Sequence, residues 1–175
     1  GKKQGLERLI EVAAKYRNDD SVVFLIVGDG AGRAEIEQLA TEYEVHNVVF
    51  KPLQPYQRLP ELLSLADVHV VCQLRGVADI VLPSKLTGIL AVGGHCVVTA
   101  DIDTELGQLA GQFPGIIELV EPECSDALHA GIQKLLPKRA NGINSLARHY
   151  AQEYLGKDSV LGRFNQELTC YIGKP

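Results

Sequence analysis

Hydrophobic residues fall into two kinds of run along this chain. Short, continuous and largely β-branched runs are typical of parallel strands that are buried on both faces. Between them, hydrophobic residues recur at three- and four-residue spacing, which predicts amphipathic helices. The strands are predicted at 22–27, 48–50, 68–72, 96–98 and 116–120, and the helices at 6–16, 33–43, 59–65, 83–92 and 104–109, with more helices from residue 126 onward.

The alternation of strands and helices predicts an α/β fold, a doubly wound parallel sheet that forms a single domain over residues 1–175. The C-terminal helices are expected at about 140–173. In such sheets, ligands bind beyond the carboxyl ends of the strands. That rule selects a set of candidate binding loops, namely 1–5, 28–32, 51–56, 73–84 and 99–105.

The segment 82–100, LPSKLTGILAVGGHCVVTA, predicts a loop, a helix and a buried strand. Pro83 suits the first helical turn, and Ser84 beside it can cap the helix. A helix that starts after a strand and a loop offers N–H groups and a positive dipole end, which favour a phosphate or diphosphate. Because Lys85 opposes that dipole, we expect an anion near it, either a diphosphate or a carboxylate such as Glu105.

Two other loops admit more than one interpretation. The sequence GDGAG at 28–32 lies between a predicted strand and a predicted helix, but its spacing does not match G-x-G-x-x-G. A dinucleotide site is therefore a weak alternative to a tight turn whose glycines let helix and sheet pack closely. Leu53-Gln54-Pro55 is either a proline-rich connector or a ligand contact made by backbone groups.

Composition excludes several classes of function. The net charge of −5 disfavours a nucleic-acid partner. No apolar run approaches the ~20 residues of a membrane span, and there is no signal peptide, so we expect a cytoplasmic protein. The histidines lack metal-ligand spacing, and no metal or other cofactor is predicted. Because the sequence contains no methionine, we expect it to be part of a longer chain. The cysteines are expected to be reduced: Cys72, Cys96, Cys124 and Cys170.

Several segments in fixed order resemble one known family, namely KQGLERLIEVA, VGDGAGRAEIEQLA, LSLADVHVV, LPSKLTGILAVGG and GIIELVEPECSDAL. The fourth resembles the P-S-K-L-x-E-x-x-A-x-G-x-P-V segment of family-4 glycosyltransferases with the GT-B fold, and the second resembles their G-x-G-P-x-R-x-x-L-x-x-L-A segment. The chain is similar to the C-terminal, donor-binding half of these enzymes, most of all those for bacterial capsule, O-antigen or colanic acid. The resemblance implies a Rossmann-like half of a GT-B fold.

The resemblance also implies a function. It implies transfer of a sugar, with retention of configuration and no bound metal, from a nucleotide-diphosphate sugar of the UDP or GDP type. The acceptor would be a glycan or a polyprenyl-linked molecule in surface polysaccharide synthesis. The N-terminal acceptor half and the strand before residue 1 would be missing, so this part should be inactive alone. The full-length enzyme would be able to associate with the inner face of the membrane.

The donor-binding residues that we infer lie in the candidate loops or, for Lys85 and Leu86, directly after one of them, whereas no catalytic residue is identified. They are Lys3, Gln4, Gly28, Gly30, Leu53, Pro83, Ser84, Lys85, Leu86 and Glu105.

Departures from the family pattern keep alternatives open. Gln4 stands where the family has a lysine, so either Lys3 supplies the cation or the cation is absent. Ile80 and Gly88 stand where many members carry a pair of glutamates, and Gly88 removes a carboxylate often used on the donor ribose. A non-catalytic nucleotide-binding module of the same fold is one alternative, and a GT-B nucleotide-sugar epimerase is the other.

Overall fold

The computed structural model describes residues 5–76 and 82–172, apart from the side chains of 163, 167 and 170–172. The strands are β1 (Phe24–Val27), β2 (Val48–Lys51), β3 (His69–Val71), β4 (Cys96–Thr99) and β5 (Glu118–Val120). The helices are α1 (Leu6–Lys15), α2 (Arg33–Glu42), α3 (Leu59–Leu65), α4 (Ser84–Ala91), α5 (Glu105–Gln112), α6 (Ser125–Leu135), α7 (Ser145–Tyr150) and α8 (Lys157–Ile172). Short 3-10 helices cover Tyr56–Arg58 and Leu136–Asn141, and a π-helix covers Ala151–Leu155.

All strand pairs in the described ranges are parallel, which confirms the predicted α/β fold. β1 pairs with β2, while β4 pairs with β3 on one side and β5 on the other. The strands form two sheets, β2-β1 and β3-β4-β5, rather than the single sheet that the sequence predicts. The division arises because β1 and β3 each pair on one edge only, with no ladder between them in residues 5–76.

One helix packs across both sheets. Ile10, Val12 and Ala13 of α1 are completely buried, and α1 packs against α2 and α6. The core cluster that contains them includes Phe24 from β1 and Val97 from β4. Because full burial of a large aliphatic or aromatic side chain stabilises a fold by about 1.5–3 kcal/mol, α1 contributes strongly to holding the sheets in one framework.

A second core lies on the other face of the three-stranded sheet. Successive residues of β4 alternate between the two cores, with Val97 in the first and Val98 in the second. Leu86 and Leu90 of α4 and Leu106 of α5 fill the second core. β4 is therefore covered on both faces, as its continuous apolar run predicts.

The C-terminal helices begin on this second core. Asn144 caps α7, and its backbone N–H donates to Gly93 O at 2.7 Å. Phe113, Tyr150 and Tyr154 pack ring against ring at centroid distances of 4.7, 4.9 and 5.1 Å. α8 presents exposed apolar side chains, namely Val160, Leu161, Phe164 and Leu168. None of the helices described is both long and apolar enough to cross a membrane.

Gly107 fixes the turn that leads from β4 into α5. A Cβ on Gly107 would lie 2.1 Å from the backbone oxygen of Ile102, closer than any real contact. Gly111, in the same helix, would place a Cβ in open space. The two glycines therefore differ in packing while they share one helical environment.

We expect Gly107→Ala to destabilise the fold by at least about 2 kcal/mol, because the backbone of the turn would have to move. Gly111→Ala is the matched control, and it should be neutral or stabilising by roughly 0.5–1 kcal/mol through helix propensity. Denaturant unfolding of both variants measures the difference. Equal stabilities for the two variants would contradict the close approach at Gly107.

Candidate functional site

The carboxyl ends of both sheets lie at one edge of the molecule. α1 starts at the carboxyl end of β3, where a Cβ on Gly5 would lie 3.1 Å from the side chain of Leu74. It ends at the amino end of β1, where the rings of Tyr16 and Phe24 lie 5.8 Å apart. There too, Asn47 Nδ2, just before β2, donates to the last turn of α1 at 3.1 Å. β1 and β3 therefore point the same way, and the loops after the strands share an edge.

Arg33, the first residue of α2, ties the loop after β1 to the loop after β2. Its Nη1 donates to Gly28 O at 3.0 Å, to Asp29 Oδ1 at 2.7 Å and to Lys51 O at 3.3 Å. Asp29 Oδ2 accepts from the Leu53 N–H at 3.0 Å. Gly28 has a φ of 137°, a conformation that glycine adopts at little cost. The two loops therefore converge, as the sequence predicts.

The loops after β3, β4 and β5 are joined by a separate set of bonds. Thr99 Oγ1 accepts from the Gln73 N–H at 2.7 Å and donates to Gln73 O at 2.9 Å. Arg75 donates through Nη1 to Asp101 at 2.7 Å and through Nη2 to Glu121 at 3.0 Å. These bonds join the loops after β3, β4 and β5 to one another at the carboxyl edge.

The start of α4 departs from the prediction in its cap. Pro83 precedes the helix with φ −54° and ψ 128°, and α4 begins at Ser84 without a side-chain cap. The predicted cap by Ser84 is wrong, because the extended Pro83 shifts Ser84 into the first turn. Ser84 and Lys85 are exposed. Leu86 is fully buried, and its N–H donates to Pro83 O at 2.8 Å, so Leu86 serves packing here.

The starts of α1 and α4 both lie near the end of β3. Burial is the main cause that raises the pKa of the Cys72 thiol to about 12. The negative charge of Glu7, on α1, adds to that rise, and the positive charge of Lys85, on α4, opposes it. The charges of Glu7 and Lys85 therefore both act on Cys72, and the dipoles of helices that begin at this edge favour negative charge there.

The structure places the described site residues along this edge. Glu105 is exposed at the start of α5, directly after the turn that follows β4. Leu53 is 75% exposed, but its N–H is already bonded to Asp29. Its carbonyl and side chain are therefore what Leu53 can offer to a ligand. The others lie in the loop after β1 (Gly28 and Gly30) and at the start of α4 (Pro83, Ser84 and Lys85).

Some predicted features lie outside the described residues: Lys3, Gln4 and the missing glutamate position at Ile80. Gly88 lies within α4, and a Cβ there would be 3.1 Å from Leu63 Cδ1 of α3. Leu63 would have to shift by a few tenths of an ångström to accommodate a side chain at this position. In the described ranges, no cluster of three or more His, Cys, Asp or Glu side chains is arranged to hold a metal ion.

Sequence reasoning missed the residues that bind the loops to one another. Arg33 follows GDGAG directly. An arginine at the start of a helix can donate hydrogen bonds to the loop before it, and this is the signal that could have identified Arg33. Arg75 lies in a loop that the strand-end rule selects, but its partners Asp101 and Glu121 are distant in sequence. No periodic signal connects residues so far apart, so only the fold brings them together.

A cavity of about 180 Å³ lies at the opposite edge. It is bordered by the amino ends of β4 and β5, with Lys134 and Lys138 from the α6 region among its lining residues. Lys134 is paired with Glu118 at 2.7 Å. Ligands of parallel sheets bind at the carboxyl ends of strands, so this cavity is not the candidate donor site.

Residues 1–154, most of the chain, match the family model described as glycosyl transferases group 1. The chain belongs to this family. It is 51% identical over 170 residues to WcaI of Escherichia coli strain K12, whose name assigns it to colanic acid biosynthesis as a glycosyl transferase. The alignment covers 96% of this chain and 40% of WcaI, so the chain spans less than half the length of that relative.

Solved structures share the fold at lower sequence identity. HepE from Anabaena, in complex with UDP, matches with a TM-score of 0.79 and 17% identity over 97% of this chain and 46% of HepE. Sucrose-phosphate synthase from Thermosynechococcus elongatus matches with a TM-score of 0.73 and 20% identity over 98% of this chain and 44% of the synthase. At these identities the likeness shows the fold alone, and it confirms the expected Rossmann-like half of a GT-B fold.

We expect Arg33→Lys to loosen the loops after β1 and β2, because lysine cannot reproduce the fork of a guanidinium. The N–H of Leu53 should exchange roughly tenfold faster with deuterium once Asp29 loses its anchor. Arg58→Lys is the control, since Arg58 is exposed and pairs only with nearby Glu61 among the contacts described. Unchanged exchange at Leu53 in Arg33→Lys would show that Arg33 does not hold the loops together.

Proposed function

We propose that this chain is the donor-binding part of a retaining glycosyltransferase of surface polysaccharide synthesis. Its donor would be a nucleotide-diphosphate sugar of the UDP or GDP type, and its acceptor a glycan or polyprenyl-linked molecule. The observation that carries the proposal is the start of α4 at the carboxyl edge, with Ser84 and Lys85 exposed. Membership of the family and the identity to WcaI give that edge its chemical interpretation.

The diphosphate would lie at the start of α4. The first turn of a helix presents N–H groups that have no intrahelical partner, and the helix dipole adds positive potential there. Lys85 stands in that turn and can donate a charge-assisted hydrogen bond to a phosphate oxygen. As the sugar leaves, negative charge grows on the diphosphate, and these groups would stabilise it without a metal ion.

The nucleoside would lie towards the loops after β1 and β2. Gly28 leaves the backbone open to a ligand there, since a Cβ on it would meet no atom within 4 Å, and Gly30 is exposed. Arg33 and Asp29 hold the two loops in place beneath it. The UDP in the structure of HepE supports a nucleotide of this kind for the shared fold.

The acceptor site would be supplied by another part of the longer protein. WcaI is more than twice as long as the segment matched here, because the alignment covers 40% of it. α8 carries Val160, Leu161 and Phe164 with 45%, 48% and 56% of their surface exposed. Such an apolar stripe is suited to a contact with the acceptor half rather than with water.

A non-catalytic nucleotide-binding module is the second candidate. It is favoured by Gly88, which lacks the carboxylate that many members of the family carry at this position. Both candidates predict nucleotide binding, but only the first predicts turnover. Release of nucleoside diphosphate by the full-length protein, supplied with UDP- and GDP-sugars and a lipid-linked acceptor, separates them.

We expect Lys85→Ala in the full-length protein to weaken binding of UDP or GDP by roughly 1.5–3 kcal/mol, because a charge-assisted bond to the diphosphate is lost. Binding of the nucleoside alone should change far less. Calorimetric titration measures both, with ADP as a test of base preference.

Lys134→Ala is the matched control for Lys85→Ala, since it removes a lysine at the opposite edge and should leave nucleotide binding unchanged. Equal losses for nucleoside and diphosphate in Lys85→Ala would show that Lys85 does not contact the phosphates. A large fall in melting temperature would instead indicate a structural ion pair.

A further inference from the structure

The cavity at the amino ends of β4 and β5 lies away from the proposed donor site. Its volume is about 180 Å³, whereas a single water molecule needs only about 10–15 Å³ of such space. Packed protein interiors leave few voids larger than a water molecule. Sites for drug-sized ligands enclose roughly 300–1,000 Å³, so this cavity is suited to a smaller molecule than a nucleoside diphosphate.

The inner wall of the cavity is largely apolar. Ile116, Ile117 and Leu135 line it, and all three are buried. The N–H of Ile117 donates no hydrogen bond to any residue that the structure describes. Because buried backbone N–H groups are nearly always paired, a ligand with an acceptor oxygen would complete this wall.

The shape of the cavity is fixed by Asn144, which also lines it. Its N–H donates to Gly93 O at 2.7 Å, its Nδ2 donates to Gly115 O at 2.8 Å, and its Oδ1 accepts from the Ala147 N–H at 3.1 Å. These bonds join the end of α4, the turn before β5 and the start of α7. The cavity is therefore formed before a ligand enters, which lowers the cost of binding.

The chain around the cavity is positively charged. Residues 127–152 contain two lysines, two arginines and no aspartate or glutamate, in a chain with a net charge of −5. Lys134, in the last turn of α6, stabilises the helix dipole and pairs with Glu118. Lys138 follows the end of α6, is exposed, and its side chain has no ion pair or hydrogen bond in the described ranges. A structural role therefore accounts for Lys134 but not for Lys138.

We propose that this cavity binds a phosphate monoester, with the phosphate at Lys138 and the organic part against Ile116 and Leu135. A phosphate group accepts charge-assisted hydrogen bonds from an ammonium group, and it can also accept from a backbone N–H such as that of Ile117. Inorganic phosphate would leave the apolar wall without a partner, so an ester is favoured. A soluble phosphorylated molecule and the headgroup of a monoester lipid share this chemistry. Such a site is separate from the donor site and independent of sugar transfer.

Amide chemical-shift mapping of the full-length protein tests this site. Titration with glycerol 3-phosphate, with UDP present in excess to occupy the donor site, should shift the amides of Ile117, Lys138 and Asn144. The amides of Ser84 and Lys85 should not shift further. Vesicles that contain phosphatidic acid, a monoester lipid, are compared with vesicles of phosphatidylglycerol, a diester. Binding of glycerol 3-phosphate supports a soluble ligand, and binding of the phosphatidic acid vesicles alone supports a lipid headgroup.

Four variants sharpen the test, with affinity read from the same titrations. Lys138→Ala should weaken binding roughly 10- to 100-fold, because a hydrogen bond between charged groups is lost, whereas Lys138→Arg should keep most of the affinity. Glu118→Gln should strengthen binding several-fold, because it removes a negative charge from the cavity wall. Lys157→Ala, at another exposed lysine, is the matched control and should leave binding unchanged.

Three results would overturn the proposal. If neither probe shifts the amides around the cavity at millimolar concentration, the cavity does not bind phosphate monoesters. Equal losses in Lys138→Ala and Lys157→Ala would show a general effect of surface charge rather than a site. Equal binding to both kinds of vesicle, without binding of glycerol 3-phosphate, would show that the monoester is not recognised.

Discussion

Burial of one face of α1 holds the two sheets in a fixed relation to each other. Ile10, Val12 and Ala13 are inaccessible to solvent, and their cluster draws residues from both sheets. No described ladder joins β1 to β3, so the relative position of the sheets depends on this apolar contact. The apolar contact therefore also sets the common edge at which the strand-end loops meet.

At that edge, arginines and short polar side chains replace apolar packing. Arg33 and Asp29 fix the loops of one sheet, while Thr99 and Arg75 fix those of the other. Each bond is partly exposed and weak by itself, but together they hold loop backbones that carry little hydrophobic surface. A framework of this kind leaves the start of α4 accessible while its buried residue, Leu86, anchors the helix.

The helices and strands could be predicted from the sequence, because they follow from short-range hydrophobic periodicity. The edge at which the loops meet could be predicted as well, because the loops that follow parallel strands lie at the carboxyl ends of those strands. The alternation of Val97 and Val98 between two cores was implicit in their continuous apolar run. The helix start was misjudged by one residue at Ser84, since cap geometry depends on the dihedrals of Pro83. The bonds of Arg75 join distant segments, and so does the approach of Leu63 to the space beside Gly88; no local pattern in the sequence reports either.

We propose that a nucleoside diphosphate binds at the carboxyl edge with its phosphates at the start of α4. Amide chemical-shift mapping of the full-length protein during titration with UDP and GDP tests this binding mode. We expect the largest shifts at Ser84 and Lys85, with smaller ones at Gly28 and Gly30, and none around Lys134. Shifts centred on the cavity beside Lys134 and Lys138 would instead place the nucleotide at the opposite edge of the sheets.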